Sequence, residues 1–492
     1  MGWLEPPNPL VGRPASRSGG SPAPIDPDVV SEMAATGAEI LEGLETRSAH
    51  ARDWWPLSIG WANQGMVGAL PQAVVRPSST EQVAAVMRIA HRAGIAVAPG
   101  GGRSGVCGGL IPEHGGISLD LTGLDKIRSI DTEAQTVWVE AGTRGQTLEA
   151  ALAEHALRLG HYPQSFDLAS VGGWLACRGA GQYSTRYGKI EDLVRGLEVV
   201  LADGTVITTG GVGPRAATGP DLTQLFVGSE GTLGIITAAS LVTRRVPSAE
   251  LRMAVSFDTF DEGMDACRSI LQQGATPAVL RLYDEIESKR NFDRETNLLI
   301  VLDEASAPEI ETTAAVLHEV LGTAALEEIS LVDRWLAHRN DVGQLAPLWE
   351  RHVVVDTIEM AGPWSKLSAA RRTVLEALLD VPGTLVASVH QSHSYLDGAC
   401  LYFTFAGRAA DDAPDLEAEE TYYRAAWDAA SSAIVASGCA LSHHHGIGRH
   451  RARYLPEALG PAFDVLRSIK DALDPAGILN PGVLGLSQTS LP

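Results

Sequence analysis

The segment Pro99-Gly100-Gly101-Gly102-Arg103-Ser104-Gly105, running on to Gly109, most constrains what this chain can fold into. Gly100, Gly102 and Gly105 satisfy G-x-G-x-x-G. In a doubly wound nucleotide fold that fingerprint ends a strand and opens a helix, whose N-terminus holds a pyrophosphate. A strand precedes here, Ile95 to Ala98, but no helix follows. Residues 106–112 bring two more glycines and Pro112, and the next regular run, Ile117 to Leu121, is strand-like. The loop can still present a nest of backbone N–H groups to an anion, outside that fold. Asp120 stands near the spacing at which such folds hold a ribose, and without the helix it reads as a decoy.

A chain of 492 residues exceeds one ordinary core, so two or more domains are expected. With 45% hydrophobic and 20% charged residues it is a globular, water-soluble composition. The net charge of −22 argues against a nucleic-acid partner and against an anionic membrane surface. No 18-residue apolar run predicts a transmembrane segment. Cys107, Cys177, Cys267, Cys400 and Cys439 are scattered and form no C-x-x-C. With no basic-then-apolar leader they point to a reducing, cytoplasmic setting. The closing Thr489-Ser490-Leu491-Pro492 is not a peroxisomal address.

Residues 1–27 are rich in Pro, Gly and Ser and read as a loose arm, followed by a helix over 28–45. Val74 to Pro77 reads as a strand. Ser78 and Glu81 form a capping box for a helix with Val83, Val86, Met87 and Ala90 on one face. Strands are expected at 117–121 and 136–140, then a helix at 146–157 that includes His155. A hairpin turns at Asp203-Gly204, and a long strand runs from Ile235 to Val246. From 248 the pattern changes to strands at 253–257, 299–302, 383–389 and 400–405, with helices at 260–274, 308–321 and 416–437. This is a separate α+β domain on an antiparallel sheet. The expected division is an arm and helix at 1–60, a first domain at 61–247, a cap at 248–440 and a returning segment at 441–492.

Two further glycine-rich blocks follow the first. One holds Pro163, Gln164, Ser165, Asp167, Ala169, Ser170 and Gly173, then Arg178, Gly179 and Ala180. The other is Glu230-Gly231-Thr232-Leu233-Gly234-Ile235-Ile236. Each alone marks a tight turn. The three in this order, over residues 70–247, resemble the FAD-binding domain of the vanillyl-alcohol-oxidase/p-cresol-methylhydroxylase family. The resemblance implies an α+β fold: a two-subdomain FAD-binding domain with an α+β cap carrying an antiparallel sheet. It implies that residues 99–105 wrap the FAD pyrophosphate, while the other two blocks line the ribityl chain and the ring. Ser104 and Cys107 stand where some members carry a flavin-tethering histidine, so the FAD is expected to be noncovalent.

The second half narrows the likeness. Arg281-Leu282-Tyr283-Asp284, the run Ser394 to Phe403, Ser442-His443-His444-His445-Gly446 and the block at 163–193 resemble the alkylglycerone-phosphate synthase family. That family exchanges an acyl group for an alkoxy group through a flavin N5 adduct, without net redox turnover. The resemblance implies Tyr395 as the acid/base, His443, His444 and His445 around the phosphate and reacting centre, and Arg281 ordering the flavin side. The family's substrate-binding arginine has no clean counterpart, and Arg334 and Arg339 are the candidates. A tyrosine can shuttle a proton if neighbours lower its pKa, which His or Arg can do. Taken alone, Tyr395 reads equally as a packed strand tyrosine, and the histidine run as a metal site, a solvated loop or a catalytic cluster.

Metal can be weighed within the sequence. Related FAD enzymes of D-2-hydroxy acids carry H-x-G-D-G-N-L-H and a later E-H-G as metal ligands. Aligned on Asp397-Gly398, those positions become Ser394, Leu401 and His444, so no metal is expected, although His390 and His393 lie nearby. If extended, the triplet puts His443 and His445 on one side and His444 on the other. The expected partner is a small-molecule or lipid-like substrate, and a homodimer is compatible with this reading. The alternatives are a metal-independent FAD oxidoreductase of an alcohol or 2-hydroxy acid, and a non-catalytic flavin-binding protein.

Overall fold

The computed structural model describes residues 15–17, 24–211, 213–343, 346–409 and 415–486. Most of the arm expected over 1–27, and the closing residues 487–492, lie outside the described residues.

Three sheets organise the described chain. A four-stranded sheet runs Glu39–Leu41, Ala73–Arg76, Ile117–Asp120, Val97–Gly100 in spatial order. Its last three strands are parallel, joined by the helix Thr80–Ala93. That helix buries Val83, Val86, Met87 and Ala90 against the sheet, as its periodicity predicts. Its N-cap is Ser79, one residue later than expected, because the Ser79 hydroxyl is the one that accepts from the Gln82 N–H. The helix expected over 28–45 is also corrected. Pro27–Ala35 is helical, but Gly37 at φ 87° turns the chain into the strand Glu39–Leu41. Gly43 at φ 100° then starts a second helix, Leu44–Ala49.

The second sheet is antiparallel, ordered Val206–Gly210, Val194–Val200, Ile235–Val242, Thr136–Glu140, Ile127–Asp131. The helix in front of it, Gly145–Ala153, stops before His155. The long strand stops at Val242 rather than Val246.

The third sheet has seven strands, all antiparallel, centred on Asn297–Ala305 and Val279–Tyr283 on one side and the hairpin Thr384–Ser394/Gly398–Gly407 on the other. Val354–Pro363 pairs along the full length of Gly398–Gly407. The helices Phe260–Gln272, Trp364–Leu379 and Leu416–Ala436 cover one face and form the largest core. Trp55, Leu57 and Trp61, from the helical segment 55–63, are buried in that same core. The chain end returns to the first sheet, where Val97 donates to Ile478 O and Asn480 donates to Val97 O. The glycine loop after Val97 is thereby held by the C-terminal segment.

Candidate active site

The glycine segments converge because backbone must meet backbone. A Cβ on Gly102 would lie 1.9 Å from Leu168 O, and one on Gly101 2.2 Å from Ser170 Oγ. Gly231, at φ +73°, would push a Cβ to 2.4 Å from Pro99 Cγ. These are close approaches that only glycine permits. Arg103 and Glu230 also adopt positive φ, 55° and 50°. The three blocks, with cap residues facing them, enclose a cavity of about 820 Å³, within the usual span of ligand sites (about 300–1,000 Å³).

Pro99 through Gly105, Pro163, Gln164, Ser165, Ala169, Ser170, Gly173, Gly179, Ala180, Glu230, Gly231, Gly234 and Ile236 all line it. Five expected cofactor residues do not. Asp167 turns to Gln146, and Arg178 turns to Glu191. The Thr232 hydroxyl donates to Ser229 O, while Leu233 and Ile235 are packed into cores. Asp120 behaves as the decoy expected, since its carboxylate is committed to His50, Arg76 and Thr122.

Glu230, half-buried, and Asp53, buried, stand on this wall. Glu230 accepts the Ile447 and Gly448 N–H groups, at 2.7 and 2.8 Å. Burial nevertheless pushes its pKa up to about 7, and Asp53 likewise to about 7. Glu230 belongs to the third glycine block already assigned to the cofactor, whereas Asp53 carried no recognisable sequence signal for this role.

The histidine triplet is not extended. A single oxygen of Glu359 gathers the N–H groups of His443, His444 and His445 at 3.2, 3.1 and 2.8 Å. Ser442 Oγ donates to the same oxygen at 2.9 Å. The carboxylate sits in a nest of successive amides. Its other oxygen takes Arg451 Nη1 at 2.6 Å, with both side chains fully buried. Burial alone would raise the Glu359 pKa, but Arg451 and the histidine segment hold it well below the usual carboxylate range. The bend turns His444 and His445 into the cavity and His443 away from it, which overturns the alternation expected from an extended run.

His443 instead faces Tyr395. Its Nε2 lies 2.9 Å from Tyr395 Oη, and its Nδ1 lies 2.9 Å from His444 Nδ1. Tyr395 Oη also meets Ser184 Oγ at 3.2 Å, and Ser184 Oγ meets His393 Nδ1 at 2.9 Å. The result is one hydrogen-bonded chain, His444–His443–Tyr395–Ser184–His393, with its two end histidines on the cavity wall. Tyr395 itself stands one shell back from the cavity. Ser184 is the member that sequence reasoning did not single out, and His393 stood there only as a histidine near the lost metal-ligand positions. Burial first, then a neighbouring histidine, pushes His443 and His444 down to about 3, and burial takes His445 down to about 4. Burial raises the Tyr395 pKa well above that of a free phenol, contrary to the lowering expected from its neighbours. All of these shifts favour the uncharged form of each group in the chain.

Arg281, Arg334 and Arg339 line the cavity as well. The Arg339 guanidinium lies over the rings of Tyr183, Tyr162 and Trp335, at 4.9, 5.6 and 5.8 Å. Its Nη1 is buried without a partner. Gln182 donates to Arg339 O at 2.9 Å, leaving its own buried Oε1 unpaired.

Residues 71–210 match the FAD binding domain family, and residues 246–484 match the C-terminal domain of FAD linked oxidases. An uncharacterized FAD-linked oxidoreductase of Escherichia coli (strain K12), YgcU, is 31% identical over 84% of this chain and 89% of its own length. Alkyldihydroxyacetonephosphate synthase of Dictyostelium discoideum is 28% identical over 85% of this chain and 74% of its own length. A solved alkyldihydroxyacetonephosphate synthase shares 25% identity and superposes with a TM-score of 0.76, over 94% of this chain and 86% of that one. A solved p-cresol methylhydroxylase, at 16% identity, shares the fold with a TM-score of 0.74 over 94% of this chain and 97% of that one. The chain belongs to the vanillyl-alcohol-oxidase/p-cresol-methylhydroxylase family of FAD-binding proteins and carries the C-terminal domain of its FAD-linked oxidases.

FAD is the cofactor. The glycine cradle fits it, because bare backbone lines the wall where a pyrophosphate and ring need close approach. Purified protein is expected to be yellow and to release intact FAD on acid or heat denaturation. Ser104 and Cys107 line the cavity, and Cys107 is buried with its pKa raised by that burial, a poor nucleophile. Flavin that stays on the denatured chain would reject the noncovalent attachment.

Proposed function

We propose that this enzyme uses FAD for carbon–oxygen exchange of the alkylglycerone-phosphate-synthase type, in which an acyloxy group leaves a carbon of an anionic, lipid-like substrate as a carboxylate and the alkoxy group of an incoming alcohol takes its place. The hydrogen-bonded chain from His444 to Tyr395 carries this reading. It gives a leaving carboxylate and an incoming alcohol a route for the proton that one loses and the other accepts. Bound FAD supplies an electron-deficient ring able to take an electron pair from the reacting carbon. His444 and His393 present the chain to substrate, and Tyr395 and Ser184 complete it behind them.

The histidines are neutral, so a charged headgroup falls to the arginines. Arg339 offers a buried free N–H beside the unpaired Gln182 oxygen, and Arg334 stands at the rim. The pair suits an anion that also carries a hydroxyl. Arg339→Leu should leave FAD bound and raise the substrate KM about tenfold or more, the usual loss of a charge-assisted bond. A KM that stays at the wild-type value would move the headgroup elsewhere.

Metal-independent oxidation of an alcohol or 2-hydroxy acid is the second reading, favoured by the oxidoreductase name of the Escherichia coli relative. The deciding assay gives the holoprotein acyl-dihydroxyacetone phosphate with a fatty alcohol, and separately a panel of alcohols and 2-hydroxy acids. Flavin absorbance and products are followed together. Ether product with released fatty acid and no reduced acceptor supports exchange. Reduced acceptor with a keto product rejects it and establishes the oxidoreductase.

Metal enters neither reading. His393, His443 and His444 place ligand atoms within 4.8 Å of one another, a spacing that could hold a metal ion, but neither reading requires one. Nδ1 of His443 and Nδ1 of His444 are bonded to each other. Chelators should leave activity unchanged, while His443→Ala or His445→Ala slows turnover or weakens substrate binding. A stoichiometric divalent ion whose removal abolishes activity and whose return restores it would reject this.

A further inference from the structure

Arg281, His390 and Glu287 form a row of hydrogen bonds along the cavity wall, and their chemistry fixes its direction. Arg281 Nη2 lies 2.6 Å from His390 Nε2. A guanidinium only donates, so Nε2 is the ring's lone pair and the proton sits on Nδ1. Nδ1 then donates to Glu287 Oε2 at 2.7 Å. The other Glu287 oxygen accepts from Ser388 Oγ at 3.1 Å and Thr404 Oγ1 at 2.9 Å. The His390 ring is stacked on Tyr402 at 4.8 Å and tilted against Tyr283 at 5.3 Å. Tyr283 also lies 5.4 Å under the Arg281 guanidinium. Every member is thus held from more than one side. One group is left over: Arg281 Nε is buried and has no partner.

A carboxylate bonded straight to an arginine would cancel most of its field. Here a neutral imidazole stands between, keeping Glu287 two hydrogen bonds away, and Glu287 has its own counter-ion in Arg290 at 3.4 Å. The guanidinium is therefore immobile and still largely uncompensated towards the cavity.

We propose that Glu287 and His390 are positioning residues that hold Arg281 as a fixed positive charge for negative charge gathering in the cavity, on the reduced cofactor or on an anionic substrate group. The inference rests on FAD binding in this cavity and is independent of which reaction it serves.

The test uses the full-length FAD-loaded protein. His390→Leu is compared with His390→Gln, whose amide oxygen can still accept from Arg281. Two quantities are read: the flavin midpoint potential, and the dissociation constants of oxalate and inorganic phosphate followed through flavin absorbance. His390→Leu should lower the potential, or weaken anion binding tenfold or more, and His390→Gln should recover most of the change. A shift in potential assigns the charge to the reduced cofactor, and a shift in anion affinity alone assigns it to substrate. Should His390→Leu fail to fold, Glu287→Gln is read in its place and should move the same quantity in the same direction by less. Unchanged potential and anion affinity overturn the proposal. Equal losses in His390→Leu and His390→Gln overturn it too, since ring packing would then be the whole effect. Wild-type protein that takes up no FAD rejects the cofactor reading itself.

Discussion

Tyr395→Phe is expected to keep FAD bound and to lower turnover about 10²–10⁴-fold, the range a positioned proton-transfer group contributes. The substitution removes one oxygen and leaves the ring, with Lys189 Nζ 4.8 Å from its centroid, in place. That oxygen is the only atom joining His443 to Ser184 in the described chain of bonds. Without it the hydrogen-bonded link between the His444–His443 end and the Ser184–His393 end is broken. Because Tyr395 stands behind His443 rather than on the cavity wall, the loss should fall on kcat and spare KM. Ser184→Ala should reproduce part of the loss, and a solvent isotope effect present in the wild type should change in both variants. Wild-type turnover in Tyr395→Phe, with the substrate in hand, would return Tyr395 to packing.

The parts of this site that were legible in sequence are those that steric or chemical necessity writes locally. Gly101 and Gly102 are legible because any side chain would strike the second glycine block, so the requirement shows in residue type alone. Three successive histidines are legible because the run is rare and costly to bury. Other features depend on register between distant strands. Glu359 is one of two acids, with Asp356, in the strand Val354–Pro363, and only pairing with Gly398–Gly407 and the bridge Ala361–Ala440 brings it under the histidine segment. Ser184 meets His393 across more than two hundred positions, and nothing in either neighbourhood announces the other. The direction of His444 was misjudged for the same reason: alternation holds only for extended chain, and Glu359 bends it. Gly37 and Gly43 stand inside the helix expected over 28–45, and their positive φ ends it.

The largest stability effect is expected from Glu359→Ala. Glu359 and Arg451 are both fully buried and 2.6 Å apart. Removing the carboxylate leaves a guanidinium without its anion in the interior, which typically costs about 3–5 kcal/mol. Arg451 would keep its bond to Leu441 O, at 3.0 Å, as its remaining side-chain contact of this kind. The amides of His443, His444 and His445 would lose their shared acceptor at the same time. Against a typical total of about 5–15 kcal/mol, that loss is large. The melting temperature of the holoprotein should fall sharply, and FAD should leave at lower temperature, because Gly448 and Ile447 tie the same segment to Glu230 on the FAD wall. Two controls separate stability from chemistry. Glu359→Gln can keep its one oxygen for the amides only by turning its NH2 donor to Arg451, so it should fall between wild type and alanine. The pair Glu359→Leu with Arg451→Met removes both charges and should recover much of the stability. It cannot rebuild the amide nest, so its turnover should stay low. A double variant that regains full turnover with its stability would show that the carboxylate holds the fold and does not set the histidine geometry.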